Sequence, residues 1–366
     1  MASIRLENVT VRYEHYDVLK GINLTVDDGE LCALVGPSGC GKTSVLRVIA
    51  GLTRPVAGNV YMDGQLVNDV PPGERDIAMV FQRFALYPYM TTRENWAFPL
   101  LAAGLPQKEI EARINAMSEF LSMGPLMDRY PKQLSGGQQQ RVAVGRALVR
   151  RAKVFLMDEP LGSQDAKMRV EMRAKLKKLQ MDLGITTVYV THDQVEAQAI
   201  GDKVAVMEAG IIHQVGSPEE IYDKPATLFV AGFVGTPGMN FLHGSLQRED
   251  DHLFIRHPLF KLAVPPALAA NVEAGASSQE VIVGFRPEHI RLHQIAEGDA
   301  IPAEIYVLEP QSNKLVVSLK LGQEILKMQA DRDRLGFEPR LGQKVFVTFE
   351  QEFAHIFDKA TGRRMD

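Results

Sequence analysis

A glycine-rich stretch near the N-terminus constrains the fold more than any other part of the sequence. Residues Gly36-Pro37-Ser38-Gly39-Cys40-Gly41-Lys42-Thr43 match the pattern GxxxxGK[ST], after the apolar run Leu31 to Val35 and before the helical stretch Ser44 to Ala50. In a strand, loop and helix in this order, backbone amides surround phosphate oxygens and the positive end of the helix points at them. Lys42 would add a mobile positive charge, and the Thr43 hydroxyl would bind Mg²⁺. The stretch therefore predicts a nucleotide-phosphate site.

Length and composition indicate a globular protein of more than one domain. At roughly 150 residues per domain, the 366 residues predict two or three domains. The 45% of hydrophobic residues and 23% of charged residues are typical of chains that fold. The net charge, 41 − 45 = −4, excludes an overall positive field that would attract nucleic acid or anionic lipid. We interpret the local basic cluster as a solvated face; it consists of Arg146, Arg150, Arg151 and Lys153.

Cysteine usage and hydropathy predict the compartment. Cys32 and Cys40 lie in an apolar run and in the glycine-rich stretch, and we expect free thiols rather than a disulfide. The N-terminal segment carries charges where a signal peptide needs an apolar stretch, and no run of 18 consecutive apolar residues occurs. We therefore expect a cytosolic chain that does not cross the membrane.

Residues 1–235 show the pattern of an α/β domain, because short apolar runs alternate with longer stretches of helical period. Met172 and Leu176 belong to a predicted amphipathic helix with Asp165 as its cap and Gly184 as its end. The runs typical of buried parallel strands are Leu31 to Val35, Ile77 to Phe81, Val154 to Met157, Thr186 to Thr191 and Val204 to Met207.

Two segments of this domain depart from the alternation. Residues 87–150 predict an inserted helical subdomain, with one helix around Ile110 and Ile114 and a second after Gly137. The N-terminal sequence IRLENVTVRY alternates apolar and polar residues and predicts a half-solvated antiparallel strand. We therefore expect a small antiparallel β layer beside the main sheet.

Residues 236–366 predict a separate β-rich domain after a loop at Gly235-Thr236-Pro237-Gly238. The pattern leaves a small barrel and a sandwich open, and units of the oligonucleotide-binding (OB) fold are one form of the barrel. The predicted strands are Val281 to Phe285, Lys314 to Leu321, Glu324 to Met328 and Lys344 to Phe349.

Two further motifs add polar groups to the predicted phosphate site. Asp158 and Glu159 follow the run Val154 to Met157, and strand ends of an open parallel sheet face the ligand crevice. There Asp158 would hold Mg²⁺ through water, and Glu159 would polarise a water for attack on the γ-phosphate. Leu134-Ser135-Gly136-Gly137-Gln138, named here the signature segment, precedes a helix and predicts a second anion site.

These motifs together resemble the ATP-binding-cassette (ABC) ATPases over residues 1–235, including Tyr13, Gln82, Asp165 and His192. The resemblance implies a P-loop (RecA-like) domain that pairs head to tail with a second cassette, so that each signature segment presses on the ATP of the other. It also implies Glu159, His192 and Gln82 as catalytic residues, and Thr43, Gln82 and Asp158 as ligands of Mg²⁺. The implied ATP-binding residues are Tyr13 (with Tyr16 as a competing aromatic), Val18, Gly36, Ser38, Gly39, Cys40, Gly41, Lys42, Thr43, Ser44, Gln82, Ser135, Gly136, Gly137, Gln138 and Asp165.

The C-terminal domain extends the resemblance to ATPases of maltose-type importers, through Gly235 to Phe241 and Gly284-Phe285-Arg286-Pro287-Glu288-His289. This implies a peripheral protein on the cytoplasmic membrane face that drives uptake of a sugar, a polyol or a glycerol phosphate. The implied partners are an identical or different second cassette, two permeases and, indirectly, a substrate-binding protein, with no nucleic acid. The C-terminal domain is expected either to dock a regulator or only to stabilise the pair.

One loop departs from the family pattern, and one rival function remains. Gln164 stands where these importer ATPases usually carry leucine, and Gly162 where serine is common. The rival is a soluble ABC ATPase acting on nucleic acid or ribosomes. Such chains usually join two cassettes or carry long coiled-coil insertions, whereas this sequence has one glycine-rich phosphate loop and no long heptad run.

Overall fold

The computed structural model describes residues 2–296, 298 and 300–366. The chain forms two compact units, Met1–Glu219 and Glu220–Asp366. The predicted domain boundary after residue 235 lies beyond the end of the first unit and stays a prediction.

The first unit contains both parallel and antiparallel strands. Its strands are β1 (Ile4–Tyr13), β2 (Tyr16–Val26), β3 (Leu31–Val35), β4 (Ala57–Met62), β5 (Gln65–Leu66), β6 (Ile77–Val80), β7 (Val154–Asp158), β8 (Thr186–Thr191), β9 (Lys203–Glu208) and β10 (Ile211–Gly216). Its helices are α1 (Lys42–Ile49), α2 (Thr92–Ala102), α3 (Gln107–Phe120), α4 (Gly136–Leu148), α5 (Ala166–Leu183), α6 (Gln194–Ile200) and α7 (Pro218–Asp223). The boundary between the units falls within α7. Short 3₁₀ turns occur at Pro72–Glu74, Gly124–Leu126 and Pro131–Gln133.

The main sheet has the order β10-β9-β3-β8-β7-β6, and β10 alone pairs antiparallel to its neighbour. All residues of β3, β7 and β8 are buried, as continuous apolar runs in a covered parallel sheet should be. Val35 at the end of β3 pairs with Thr191 at the end of β8, and Asp158 at the end of β7 pairs with Val190. The segments that follow these strands therefore leave the sheet at one edge, and the predicted α/β class is confirmed.

The antiparallel layer has the order β2-β1-β4-β5. Its strand β1 begins and ends where the alternating sequence predicted it, and residues such as Ile4 and Leu6 point into the core while Arg5 faces solvent. The layer shares a hydrophobic core with α1 and with one face of the main sheet. The predicted β layer is confirmed.

Helices α2, α3 and α4 lie between β6 and β7, and the described residues of this segment form no strand. Helix α2 begins with a capping box between Thr91 and Glu94. The fully buried Trp96 indole donates to the carbonyl of Val142 over 2.8 Å, and a Cβ at Gly145 would lie 2.5 Å from its ring. Only glycine lets α2 and α4 approach this closely, so the two helices form one rigid block.

The second unit is mainly β structure. Its elements are α8 (Leu228–Phe233), β11 (Asn240–Glu249), β12 (His252–His257), β13 (Phe260–Ala263), α9 (Pro266–Gly275), β14 (Glu280–Phe285), β15 (Ile290–His293), β16 (Ile301–Gln311), β17 (Lys314–Leu321), β18 (Glu324–Asp331), β19 (Lys344–Phe349) and β20 (His355–Asp358), with 3₁₀ turns at Pro287–His289, Arg332–Arg334 and Gln351–Phe353. The sheets β13-β12-β11-β14-β20 and β15-β19-β16-β17-β18 are antiparallel and bury one common core. The four predicted strands are present, and β17 and β19 have the predicted bounds.

A buried arginine explains part of the second C-terminal motif. The Arg286 guanidinium is almost fully buried and donates to the carbonyls of Tyr222, Ala231 and Val234. Within the second unit it thereby ties Tyr222 and the end of α8 to the end of β14. The Tyr222 hydroxyl completes the tie by donating to Glu288.

No helix in the described part of the chain combines the length and the apolar character that crossing a bilayer requires.

We predict that Asp358→Asn destabilises the second unit at neutral pH. The buried Asp358 carboxylate accepts bonds from the backbone and hydroxyl of Ser277 and of Thr361 at 2.7–2.9 Å, which hold its pKa well below the usual range. This stabilisation is complete above the pKa of about 3.9 of an unfolded aspartate and is lost as the pH falls below it.

Urea unfolding of the full chain at several pH values measures this effect. The unfolding midpoints of wild type and Asp358→Asn should differ at pH 7, because asparagine turns an N–H₂ group toward two of the donors. The midpoints should converge on acidification, because wild type then loses the stabilisation that its carboxylate provides. Equal midpoints at pH 7 would contradict the prediction.

Candidate functional site

The loop after β3 needs glycine at two positions for different reasons. A Cβ at Gly36 would lie 2.1 Å from the carbonyl oxygen of Met207 and 2.9 Å from the Cys40 sulfur. Gly41 has a φ of 109°, which residues other than glycine rarely adopt, and a Cβ there would lie 2.8 Å from the Leu19 side chain. The loop can therefore curl tightly ahead of α1.

Lys42 is held at the mouth of this loop by backbone carbonyls. Its side chain is buried, and Nζ donates to the carbonyls of Gly36 and Pro37 over 2.8 and 2.9 Å. The Cys40 sulfur lies 3.7 Å from the same ammonium and, like Cys32, is a free buried thiol. Since Gly41 offers no side-chain cap to α1, the first-turn amides and the ammonium together form a cradle for an anion.

Thr43 and Asp158 bring two kinds of oxygen together beside the loop. The Thr43 hydroxyl lies 3.1 Å from both carboxylate oxygens of Asp158. Burial raises the pKa of Asp158, and the hydroxyl works in the opposite direction. Hydroxyl and carboxylate oxygens are the donors that Mg²⁺ prefers, so these residues fit a magnesium ion that accompanies a nucleotide.

The Glu159 carboxylate forms a bond on each oxygen. Gln82, which follows β6, donates from Nε2 to Oε2 over 3.2 Å, and His192, which follows β8, places Nδ1 3.0 Å from Oε1. The backbone of Glu159 has a φ of 47° and its N–H donates to the carbonyl of Val190. Three residues predicted from separate motifs therefore meet in one cluster.

A cavity of about 220 Å³ joins the loop to this cluster; it is lined by Val18, Ser38, Gly39, Gly41, Lys42, Thr43, Ser44, Gln82 and Glu159. Each of these residues was predicted from the sequence. Tyr13 does not line the cavity: its ring is half-exposed and its hydroxyl lies 3.4 Å from that of Thr53. Tyr16, the competing aromatic, is 62% exposed. The assignment of the phosphates to this cavity and of adenine to Tyr13 therefore stays a prediction.

The signature segment lies outside this cavity and caps α4. The Ser135 hydroxyl accepts from the N–H of Gln138 over 3.3 Å, and the Gln138 side chain accepts from the N–H of Ser135 over 2.9 Å. Asp165 plays the same part for α5, accepting from the N–H of Met168 over 2.9 Å. The capping box uses one first-turn amide of α4, so the amides of Gly136 and Gly137 remain at the positive helix end.

Comparison with known proteins gives the family. The family model for "ABC transporter" matches residues 19–162, and those for the "MalK OB fold domain" and the "TOBE domain" match residues 235–290 and 283–357. Over 375 residues, 99% of each chain, the sequence is 46% identical to the trehalose/maltose import ATP-binding protein MalK of Thermococcus litoralis. The chain belongs to the ABC transporter ATP-binding proteins.

Further similarities agree with this family. The sequence is 43% identical to the sn-glycerol-3-phosphate import ATP-binding protein UgpC of Cereibacter sphaeroides over the whole of both chains. A dimeric ATP-binding cassette in a post-hydrolysis state bound to ADP and Pi has a TM-score of 0.56 and 33% identity, covering 59% of this chain and 98% of that one. The protein is thus an ABC-type ATP hydrolase, and the predicted resemblance, OB-like C-terminal fold and activity are confirmed.

One prediction about this ABC protein is wrong: Arg146 is not part of a solvated face. Its guanidinium donates to the carbonyls of Ala85 and Phe84 over 2.7 and 3.3 Å and lies 5.2 Å from the Tyr87 ring centre. Burial lowers its pKa. Arg146 therefore fixes the segment after Gln82 onto α4. The other members of the basic cluster are exposed.

Sequence reasoning also missed Gln140. This residue is buried on the face of α4 that carries Val144, and it bonds to the backbone of Glu159 and Ser163. Its position, one helical turn before Val144 on an apolar face, is a signal that could have identified it, because buried amides are almost always bonded.

Gln164, the departure from the family pattern, is a buried side chain with an unusual environment. It is 6% exposed, and within the described residues neither its Nε2 nor its Oε1 has a hydrogen-bond partner. Its Cα lies 3.8 Å from the point where a Cβ of Gly137 would be. An unsatisfied buried amide lowers stability, which the leucine usual at this position would not do.

We therefore predict that Gln164→Leu stabilises the protein by about 1–3 kcal/mol, because it removes two unsatisfied polar atoms from the interior. Thermal unfolding should show a midpoint raised by about 2–4 °C for each kcal/mol. The control is Gln180→Leu. Only the Oε1 of the buried Gln180 lacks a partner among the described residues, whereas its Nε2 donates to the carbonyls of Gly29 and Ile185, so its loss should lower the midpoint. A midpoint for Gln164→Leu at or below that of wild type would refute the prediction.

Proposed function

We propose that this protein is the ATP-hydrolysing subunit of an importer for a carbohydrate-like solute: a sugar, a polyol or a glycerol phosphate. The observation that carries the proposal is the similarity along 99% of the chain to import ATP-binding proteins, including the MalK-type C-terminal domain. The relatives named above import trehalose and maltose or sn-glycerol-3-phosphate. We propose the same membrane-peripheral position, on the cytoplasmic face, for this chain.

We propose the following roles in hydrolysis for the residues around the cavity. Lys42 and the amides at the start of α1 bind the phosphates, since the ammonium already lies in the loop and needs only to turn toward an anion. Glu159 orients and deprotonates the attacking water. Gln82 and His192 hold one carboxylate oxygen each, which fixes the direction of the remaining lone pairs.

Thr43, Asp158 and Gln82 are the residues that would hold Mg²⁺. When bound, the ion neutralises charge on the β- and γ-phosphate oxygens. The 3.1 Å contacts between the Thr43 hydroxyl and Asp158 already orient both groups toward each other.

The active site is composite in this proposal. The signature segment lies outside the cavity of its own chain, so its helix end is available to the triphosphate of a second cassette, identical or different. Tyr87, Tyr89 and Phe98 expose aromatic surface next to the segment that Arg146 holds. We assign this surface to cytoplasmic loops of two permeases, which act with an external substrate-binding protein.

We predict that Glu159→Gln binds ATP but hydrolyses it slower by orders of magnitude, because the amide cannot accept the proton of water. Size-exclusion chromatography with ATP and Mg²⁺ should show a closed dimer of this variant. The control Lys42→Ala should lose ATP affinity itself, since the phosphates lose their cation. Near-normal turnover of Glu159→Gln would remove Glu159 from this role.

We also predict that the tagged chain, purified from solubilised membranes, brings two polytopic membrane proteins with it. Cells carrying Glu159→Gln should lose ATP-driven uptake of one labelled solute among maltose, trehalose, glycerol and glycerol 3-phosphate, while the permeases still co-purify. Purification with RNA or ribosomes instead would favour the soluble ABC ATPase.

A further inference from the structure

Gln140 connects α4 to the hydrolytic segment through both ends of its side-chain amide. Its Nε2 donates to the carbonyl oxygen of Glu159 over 2.8 Å, and its Oε1 accepts from the N–H of Ser163 over 3.0 Å. The side chain is 2% exposed, so water does not compete for either bond. One side chain thus spans the turn that contains the predicted base and the loop that follows it.

The backbone of Glu159 needs such support. Its φ of 47° is unusual for a residue with a side chain, and such a conformation persists only where neighbours hold it. The N–H of Glu159 is fixed by Val190 of β8, and its carbonyl accepts from Gly162 in the turn as well as from Gln140. Of these contacts, the one with Gln140 is made by a helix, α4, whereas the others come from β8 and from the turn itself.

Helix α4 also contacts the following loop directly. A Cβ at Gly137 would lie 3.2 Å from the carbonyl oxygen of Ser163, so the first turn of α4 packs on the same loop that Gln140 bonds. Gln140 lies five residues after Ser135, which at 1.5 Å per residue is about 7.5 Å along the helix. Because Trp96 and Gly145 lock α4 into a rigid block, a displacement of the Ser135 end carries Gln140 with it.

We infer that Gln140 is a positioning residue for hydrolysis, which links the signature end of α4 to the placement of Glu159 in the same chain. This inference rests on the roles proposed above for Glu159 and for the signature segment. Docking of a second cassette at Ser135 and the orientation of the base toward water are then joined by two hydrogen bonds.

The test compares substitutions at Gln140 in the purified full-length chain. Gln140→Met keeps the shape and removes both bonds, and should lower kcat by about 10- to 100-fold, as displacement of a catalytic group does. The KM for ATP should stay within about twofold, and ATP should still produce the dimer, because the phosphate cavity is unchanged. Gln139→Met is the matched control, since Gln139 also lies on α4 but donates to the carbonyls of Pro131 and Leu134, which precede the helix, rather than to that of Glu159.

Gln140→Glu separates positioning from simple loss of stability. The carboxylate can still accept from Ser163, but it repels the carbonyl of Glu159 until it is protonated and can donate again. The ratio of its kcat to that of wild type should therefore rise between about pH 8 and pH 6, because burial raises the pKa of a glutamate into this range. Glu159, whose carbonyl bonds to Gln140, and His192, which contacts the Glu159 carboxylate, are present in both proteins, so wild type at the same pH values is the reference.

Three results would overturn the inference: full turnover of Gln140→Met, an equal loss in Gln139→Met, or a ratio for Gln140→Glu that does not change with pH. Failure of the proposed function looks different, because it would show as turnover by Glu159→Gln. Thermal unfolding of each variant, together with retained ATP binding, identifies a chain that has failed to fold, and in that case the pH ratio of Gln140→Glu decides the question.

Discussion

The site depends on one geometric constraint, the meeting of parallel strand ends at a single edge of the main sheet. Pairing of Val35 with Thr191 and of Asp158 with Val190 fixes where β3, β7 and β8 end relative to one another. The phosphate loop, the acidic pair and His192 are therefore brought together although they are far apart in the sequence. An insertion within one strand would shift that register and move one of these groups away from the others.

Within this frame Glu159 is held from several directions at once. Its carboxylate oxygens meet Gln82 and His192, and its backbone meets β8 and α4 through Val190 and Gln140. The bond from Gln140 is the buried one of these, and leaving its amide unpaired in the interior would be costly, so it holds the backbone of Glu159 rigidly. In the role proposed for Glu159, orienting a water molecule benefits from this rigidity, and the unusual φ of Glu159 is stable because these contacts enforce it.

The sequence predicts elements whose stability is local and misses contacts that join distant segments. Strands β1, β3, β8, β17 and β19 have the predicted bounds, since unbroken apolar or alternating runs define them. Strands such as β11 and β12 were missed, because histidine, glutamine and arginine interrupt their pattern and pairing with neighbours decides them. Arg146 was assigned to solvent because its partners, two carbonyls 61 and 62 positions away in the chain, leave no mark in the local pattern.

The same distinction explains the loop that carries Gln164. The sequence shows only a departure from an expected leucine. In the fold, Gln164 is a buried amide with no hydrogen-bond partner among the described residues, next to the bond between Ser163 and Gln140. An unsatisfied amide raises the free energy of the conformation that contains it, whereas the neighbouring bond lowers it. The bond of Ser163 to Gln140 thus holds the loop between β7 and α5 to α4, whereas the unsatisfied amide of Gln164, the next residue, destabilises the loop. A conformation that gives Gln164 a partner and keeps both bonds of Gln140, to Ser163 and to Glu159, would therefore be lower in free energy than this one.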